Sequence, residues 1–344
     1  MAALTFDTSS IADILLKNYG ATIVEGFSRQ GPGNRLVASD SIHGRLREKG
    51  RVFLDGADSN DRYAREWSTH HAGSSADSFT ASTAFPVASS ESYDQAQIEW
   101  KRIGVSLEYD NLLVMSKGTA RGGASVIALD FESKLKELIS ELAIQLAASG
   151  SGNDVKGFGD FLAATGTYAN IAQTNTYWKP VLTAAASAAL AKSHFETTLQ
   201  TMHNTNGGVG PNVEIWMNLV QWNNYRSLFV DSLRYAPGDS TSEKMAGVWA
   251  DGQFELPIFV IKDLPTDEVW IVDTDCMELR FKTNTPAAEL ADMADKNVSH
   301  EGVPIMLQPV SKAQDVRAIF MKMYPALVCL NPWKLGAITG LSTS

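Results

Sequence analysis

Asp273-Thr-Asp275 sets two carboxylates two residues apart, an arrangement that can hold a hard divalent cation and so serve a cation-dependent enzyme. Trp270, Ile271, Val272, Met277 and Leu279 flank the pair. Residues two apart share one side of a pleated strand, so the same pair also reads as a strand's polar face. Gly150-Ser-Gly-Asn-Asp-Val-Lys156-Gly-Phe-Gly159 combines glycines with a lysine, the ingredients of a phosphate cradle. It lacks the G-x-x-x-x-G-K-[ST] spacing, since Gly157 follows Lys156, and it comes after a helical pattern where a phosphate loop comes after a strand. Tight turning accounts for it. Gly123-Ala-Ser125-Val-Ile127 begins like a nucleophile elbow, but Ile127 stands where a glycine is required, and Ser125 reads as a helix cap or first-turn residue.

The six histidines show no ligand spacing. His70 and His71 are adjacent in a small-residue stretch, and His194 and His203 fall on opposite sides of a predicted helix. Cys276 and Cys329 are the only cysteines, each in an apolar strand-like run that suits a small buried hydrophobe. A disulfide between them stays open, but two cysteines cannot build a dense disulfide framework, and a reducing compartment fits best. Neither has the electropositive surroundings of a reactive thiolate. The expectation is no catalytic set, no cofactor site and no metal site.

The chain has 344 residues, 44% apolar and 20% charged, enough for a sizeable core in two or three domains or one elongated subunit. A net charge of −10 argues against wholesale neutralisation of nucleic-acid phosphates, which needs a basic contacting face. It is compatible with enclosing nucleic acid, because an acidic wall keeps packed phosphates mobile. The opening MAALTFDTSS has neither the basic nor the apolar region of a signal peptide, and no stretch reaches the ~18–20 apolar residues of a membrane span.

The elements follow from hydrophobic periodicity. Ile11, Leu15 and Leu16 give a short helical pattern, followed by a glycine-rich loop. IHGRLREKGR (42–51) sets four cations against one glutamate, read as a solvated face or as an arm on a neighbouring acidic subunit. Residues 68–97 are rich in Ser, Ala and Thr, yet Phe79, Phe85, Val87, Ile98 and Trp100 recur within and after them. That mixture suits a long two-stranded excursion whose apolar side is covered by another chain, because a lone two-stranded ribbon is marginal in water. Phe79, Phe85, Trp100, Lys101 and Arg102 are the candidate subunit-contact residues. Ile98 and Trp100 share one parity, whereas Ile103, Val105, Leu107 and Tyr109 share the other, so a bulge or bend is predicted at Lys101-Arg102.

Ile127, Phe131, Leu135, Leu138, Leu142 and Leu146 step by three or four, one helical stripe over 125–149 that ends at Gly150-Ser151-Gly152. Asp130/Lys134 and Glu132/Lys136 are expected as pairs on its wet side. A second helix is predicted from Trp178, with Pro180 in its first turn, to about His203 on the strength of its alanine-rich block. A strand at Val213–Met217, a helix from Leu219 to Leu233 and strands at Phe254–Ile261 and Val269–Phe281 complete a mixed α/β region. DVRAIFMKMYPALVCLNPWKLGAITGL (315–341) reads as a last strand returning to the core, a break at Asn331-Pro332 and a short apolar tail.

Several of these stretches, taken in order, carry a resemblance. They are RIGVSLEYDNLLVMS (102–116), SVIALDFESKLKELISELAIQLAASGSG (125–152) with KGFGDFL (156–162), EIWMNLVQWNNYRSLFVDSLRY (214–235), ELPIFVIKDLP (255–265), EVWIVDTDCMELRF (268–281) and the tail. Their sequence resembles the major capsid proteins of tailed bacteriophages, the Hong Kong 97 fold. The resemblance implies an α+β fold with an N-terminal arm (1–60), an extended β-hairpin loop (61–101), a peripheral domain with a spine helix (102–177 and 312–344) and an α/β apical domain (178–311). It implies a non-enzymatic shell subunit, assembling in the host cytoplasm into pentamers and hexamers of a virion head that encloses double-stranded DNA without sequence-specific binding. Portal, scaffolding and decoration proteins are the implied partners, with no membrane and no cofactor. An encapsulin-type nanocompartment shell shares the resemblance. Some members of the family cross-link a loop lysine to an asparagine before the last strand. Lys101 could supply the lysine, but no asparagine lies between Val298 and Cys329, so non-covalent contacts are expected.

Overall fold

The structure, a computed structural model, describes residues 41–55, 62–72, 92–110, 123–205, 209–228, 248–250, 255–283, 296–300, 303–311 and 316–343. It is a mixed α/β fold. Its centre is a six-stranded mixed sheet of β7 (Val181–Ala184), β17 (Gly336–Thr339), β11 (Val269–Asp273), β8 (Val213–Met217), β10 (Glu255–Val260) and β9 (Val248–Ala250), in that spatial order. All five residues of β8 and of β11 are buried, as expected of strands covered on both faces. Alternation divides them between two cores. Val213, Ile215, Met217, Val269 and Ile271 face one hydrophobic cluster, whereas Trp216, Trp270 and Val272 face the other. The sheet is the wall between them.

On one side of the wall, helices α3 (Lys192–Thr205) and α4 (Leu219–Ser227) supply Phe195, Leu199, Met202 and Tyr225. The larger core on the other side contains the long helix α2 (Gly123–Ala147), whose Phe131, Leu135, Leu138, Leu142 and Leu146 are buried as the stripe predicts. At 1.5 Å per residue its 25 residues span about 37 Å. On its wet side Lys134 pairs with Glu137 at 2.7 Å, not with Asp130. Under α2 lies a four-stranded antiparallel sheet of β13 (Lys296–His300), β14 (Val303–Ser311), β15 (Val316–Met323) and β4 (Ile103–Asp110). A three-stranded sheet joins β1 (Val52–Asp55), β12 (Met277–Lys282) and β16 (Pro325–Cys329).

The glycine-rich loop after α2 folds back against the helix end. A Cβ on Gly157 would lie 2.3 Å from the carbonyl oxygens of Ala148 and Gln145, so only glycine permits the approach. Lys156 Nζ donates to the Gly150 carbonyl at 2.6 Å and to Asp160 Oδ1 at 3.1 Å, and Asp160 Oδ2 accepts from the Gly150 and Gly157 amides. The lysine thus closes the loop on itself just past the helix end, a structural role.

Three expectations are corrected. The helix predicted from Trp178 begins only at Lys192, since Val181–Ala184 is β7, paired parallel to β17, and Ala186 and Ser187 turn with positive φ. The single strand predicted over Val269–Phe281 is two strands in two sheets, split by a 3-10 turn at Thr274–Cys276. The tail is not one returning strand but three, β15, β16 and β17, each in a different sheet. The Ile11–Leu16 pattern and residues 228–233 of the Leu219 helix lie wholly or mostly outside the described residues, which stop at Leu228 there.

Candidate functional site

The 68–97 excursion is built on an antiparallel hairpin, β2 (Tyr63–Ala72) paired with β3 (Ser92–Glu99). Phe79 and Phe85 lie outside the described residues. One side of the pair is exposed, with Glu66, Ser68, His70, Tyr93 and Gln95, Tyr93 at 59%, while the residues of the other side, Trp67, Thr69, Asp94, Ala96 and Ile98, are partly or wholly buried. The ribbon therefore lies with one face on the body and one face open. The root is tied down by directional bonds. Trp67 Nε1 donates to the Leu330 carbonyl at 3.1 Å and its ring lies 6.2 Å from that of Trp178. Tyr177 donates its hydroxyl proton to Asp94, and both burial and that carboxylate push its phenol pKa upward. The Gln97 amide donates to the Ala169 carbonyl at 3.2 Å, and Asn170 Nδ2 donates to Gln97 Oε1 at 3.2 Å. Ala169 and Asn170 form the two-residue turn between β5 (Thr167–Tyr168) and β6 (Ile171–Ala172), both with the positive φ such a hairpin turn needs.

Where the sequence predicts a bulge or bend, the chain passes from one sheet to another: β3 ends at Glu99 and β4 starts at Ile103. The candidate contact residues Trp100, Lys101 and Arg102 occupy this joint. Lys101 Nζ donates to the Gly152 carbonyl at 2.9 Å, beyond the end of α2, and its amide donates to the Pro325 carbonyl. Arg102 is exposed, with its guanidinium 5.9 Å from the centre of the Tyr324 ring. Lys322 Nζ lies 5.9 Å from the same ring, and Lys282 Nζ lies 6.0 Å from that of Trp100. The joint is therefore a cation–aromatic patch. Trp100 and Arg102 are among the candidate contact residues, whereas Lys282 of β12, Lys322 of β15 and Tyr324 between β15 and β16 come from about 180 to 220 residues away, and the sequence alone does not bring them here.

The 42–51 run is a solvated face only in part: Arg47 and Glu48 are exposed, but Arg45, Lys49 and Arg51 turn to carboxylates of the same subunit. It forms α1 (Ile42–Glu48), which buries Ile42, His43, Gly44 and Leu46. Arg45 grips the buried carboxylate of Glu214 with Nε at 2.8 Å and Nη2 at 2.6 Å, while Lys49 reaches it at 2.8 Å and Trp216 Nε1 at 3.0 Å. Burial alone would raise the Glu214 pKa, but these hydrogen bonds outweigh it and hold the carboxyl below the usual range. A glutamate inside the otherwise apolar VEIWM is the sequence signal for such a partner.

Asp273 and Asp275 do not converge on a common point. Asp273 Oδ1 accepts from the Asp275 amide at 3.0 Å and so starts the 3-10 turn, while Asp275 accepts from Arg51 and from Asn212 Nδ2 at 2.8 Å. The Asn212 bond and the Arg51 charge hold Asp275 below its usual pKa. Cys276 and Cys329 are free and buried; burial pushes Cys276 up to about 12 and Cys329 well above the usual thiol value. Among the described residues no three His, Cys, Asp or Glu side chains gather as metal ligands would, and no helix is long and apolar enough to cross a membrane.

No protein-family model matches the chain, and no curated protein matches it in sequence. Its fold matches solved structures. The capsid asymmetric unit of cyanophage A-1(L) superposes with a TM-score of 0.64 at 14% identity, covering 85% of this chain and 90% of that one. The capsid of the native GTA particle gives 0.54 at 11% identity, covering 86% and 90%. The holo-SrpI encapsulin complex of Synechococcus elongatus gives 0.50 at 8% identity, covering 87% and 88%. The chain thus has the fold of phage capsid and encapsulin shell proteins.

Proposed function

We propose that this chain is the major capsid protein of a tailed bacteriophage, a structural subunit whose copies form the pentamers and hexamers of an icosahedral head around double-stranded DNA. One observation carries the reading: the cyanophage capsid fold is matched over nine-tenths of that chain's length, as an entire fold and not as a fragment. The hairpin supports it. β2 and β3 turn an exposed polar side outward while their root is bolted to the body, the arrangement expected of a ribbon that rests on a neighbour.

In this reading, residues 1–60 form an arm, 61–101 the extended loop, 102–177 with 312–344 a peripheral domain with α2 as its spine, and 178–311 an apical domain. Strand β17 reaches from the peripheral part of the chain into the six-stranded sheet of the apical part. The work is done by interfaces, not by chemistry. The carboxylates of Asp273 and Asp275 serve the protein's own donors, which disfavours the cation-dependent enzyme. Individually modest contacts become strong when many engage together, because each raises the effective concentration of the next. Assembly takes place in the host cytoplasm, with portal, scaffolding and decoration proteins as further partners.

The encapsulin match supports a second reading, a nanocompartment shell around a cargo protein. Expression followed by electron microscopy, nuclease protection and analysis of the contents separates the two: DNA-filled heads support the capsid, a co-purified protein the compartment. A chain that stays monomeric across concentration, salt and added scaffold refutes both.

A further inference from the structure

The patch at the hairpin root gathers three cations on two aromatic rings in a chain of net charge −10. Arg102 is exposed, lies over Tyr324 and makes no ion pair among the described residues. Lys322 sits over the same ring and Lys282 over Trp100. Cations held on aromatic faces keep their charge while the rings offer apolar rim, so the patch suits a ligand that is both acidic and apolar.

Helix α2 presents such a surface on its outer side. Among its described side chains it carries three carboxylates, Asp130, Glu137 and Glu141, against two lysines, Lys134 and Lys136. Glu141 is exposed and, among the described residues, accepts only from the neutral Gln145 amide, at 2.8 Å. Ile144, almost one turn on, is 57% exposed. A glutamate and an isoleucine three residues apart share one helix face. Lys101, next to Arg102, reaches the loop just beyond α2, so ridge and patch sit at the same end of the subunit, where two copies can exchange them.

Resting on the shell reading, we infer that the Arg102 patch of one copy docks on the Glu141–Ile144 ridge of α2 in a second copy. Arg102 pairs with Glu141, and the rims of Tyr324 and Trp100 receive Ile144. A copy of this chain fits better than a nucleic acid: the ridge offers a carboxylate beside an apolar side chain, whereas a phosphate backbone offers charge without the apolar group that the ring rims would receive.

The test is a charge swap. R102E and E141R are each expected to raise the concentration needed for assembly about tenfold, since the loss recurs at every copy of the contact. The double variant R102E/E141R is expected to return it to within about twofold of wild type. Circular dichroism confirms folded subunits, and light scattering with electron microscopy reads assembly. Single variants that assemble as wild type does, or a double variant that restores nothing, overturn the contact. Shells that form normally with R102E but protect less DNA from nuclease also overturn it and assign the patch to phosphate. Wild-type protein that forms no shells sinks the shell reading and this contact together, whereas wild-type shells with unaffected variants sink the contact alone.

Discussion

Replacing Glu214 by alanine tests a buried long-range electrostatic tie of the subunit. Its carboxylate is wholly buried, while Arg45 is 11% and Lys49 30% exposed. Removing it leaves the largely buried guanidinium with only the exposed Glu48 as an ionic partner, cancels three charge-assisted contacts, two from Arg45 and one from Lys49, and leaves Trp216 Nε1 without its acceptor. Breaking a buried pair from one side costs about 3–5 kcal/mol. Lys49 retains access to solvent and Arg45 retains Glu48, so the lower end, about 3 kcal/mol, is expected. For a chain of this size the melting temperature should fall by roughly 4–6 °C. Thermal unfolding followed by near-ultraviolet circular dichroism reads this directly. R45M/E214L, which removes both charges, should recover most of the loss, because an apolar replacement of a buried pair is close to neutral. E214Q gives the pH signature. The folded-state pKa of Glu214 is lowered, so its contribution is complete above the usual carboxylate range and is lost as pH falls through the lowered value. The gap between wild type and E214Q should therefore hold from neutrality down to about pH 5 and close below it. An E214A variant within about 1 kcal/mol of wild type, or a double variant no more stable than the single one, refutes the reasoning.

Gly157→Ala drives a Cβ into backbone oxygens that cannot rotate away and should cost more than about 3 kcal/mol in urea titration, whereas Gly152→Ala, with φ +55° and open space, should cost about 1 kcal/mol. Native protein at pH 8 should react with a thiol reagent more than about a hundredfold more slowly than unfolded protein, since burial keeps Cys276 and Cys329 protonated and inaccessible. Trp67→Phe deletes the bond to Leu330 and should cost about 1 kcal/mol, with faster amide exchange in β2 and β3 and none in the six-stranded sheet.

Local periodicity was enough for α2, β8 and β10, because each has a pattern its own residues enforce. The alanine-rich block at 181–191 misled. Alanine favours a helix in isolation, but pairing with β17 gives Val181–Ala184 four strand partners that propensity cannot foresee. In Val269–Phe281 the break was legible after all: Asp273 accepting from the Asp275 amide is the local turn that short acidic side chains favour, and the D-x-D pattern first considered as a cation site marks it. The hairpin's two strands were readable, but its anchors were not. Trp67 to Leu330 and Arg45 to Glu214 span 263 and 169 residues, and nothing in a single sequence pairs residues so far apart.

The three strands of the tail have a consequence in time. β4 is made some 200 residues before its partner β15, and β11 and β12 also wait for β17 and β16. Contacts between distant segments form only after the cost of closing long loops is met, so they set a slow folding rate. While the chain is being synthesised, β4, β11 and β12 each keep an unpaired edge until residues 316–339 emerge, and unpaired edges are where chains join wrongly. The tail then acts as a clock for the subunit. One late segment closes three sheets nearly at once, and a polypeptide still on the ribosome cannot offer finished surfaces to its neighbours.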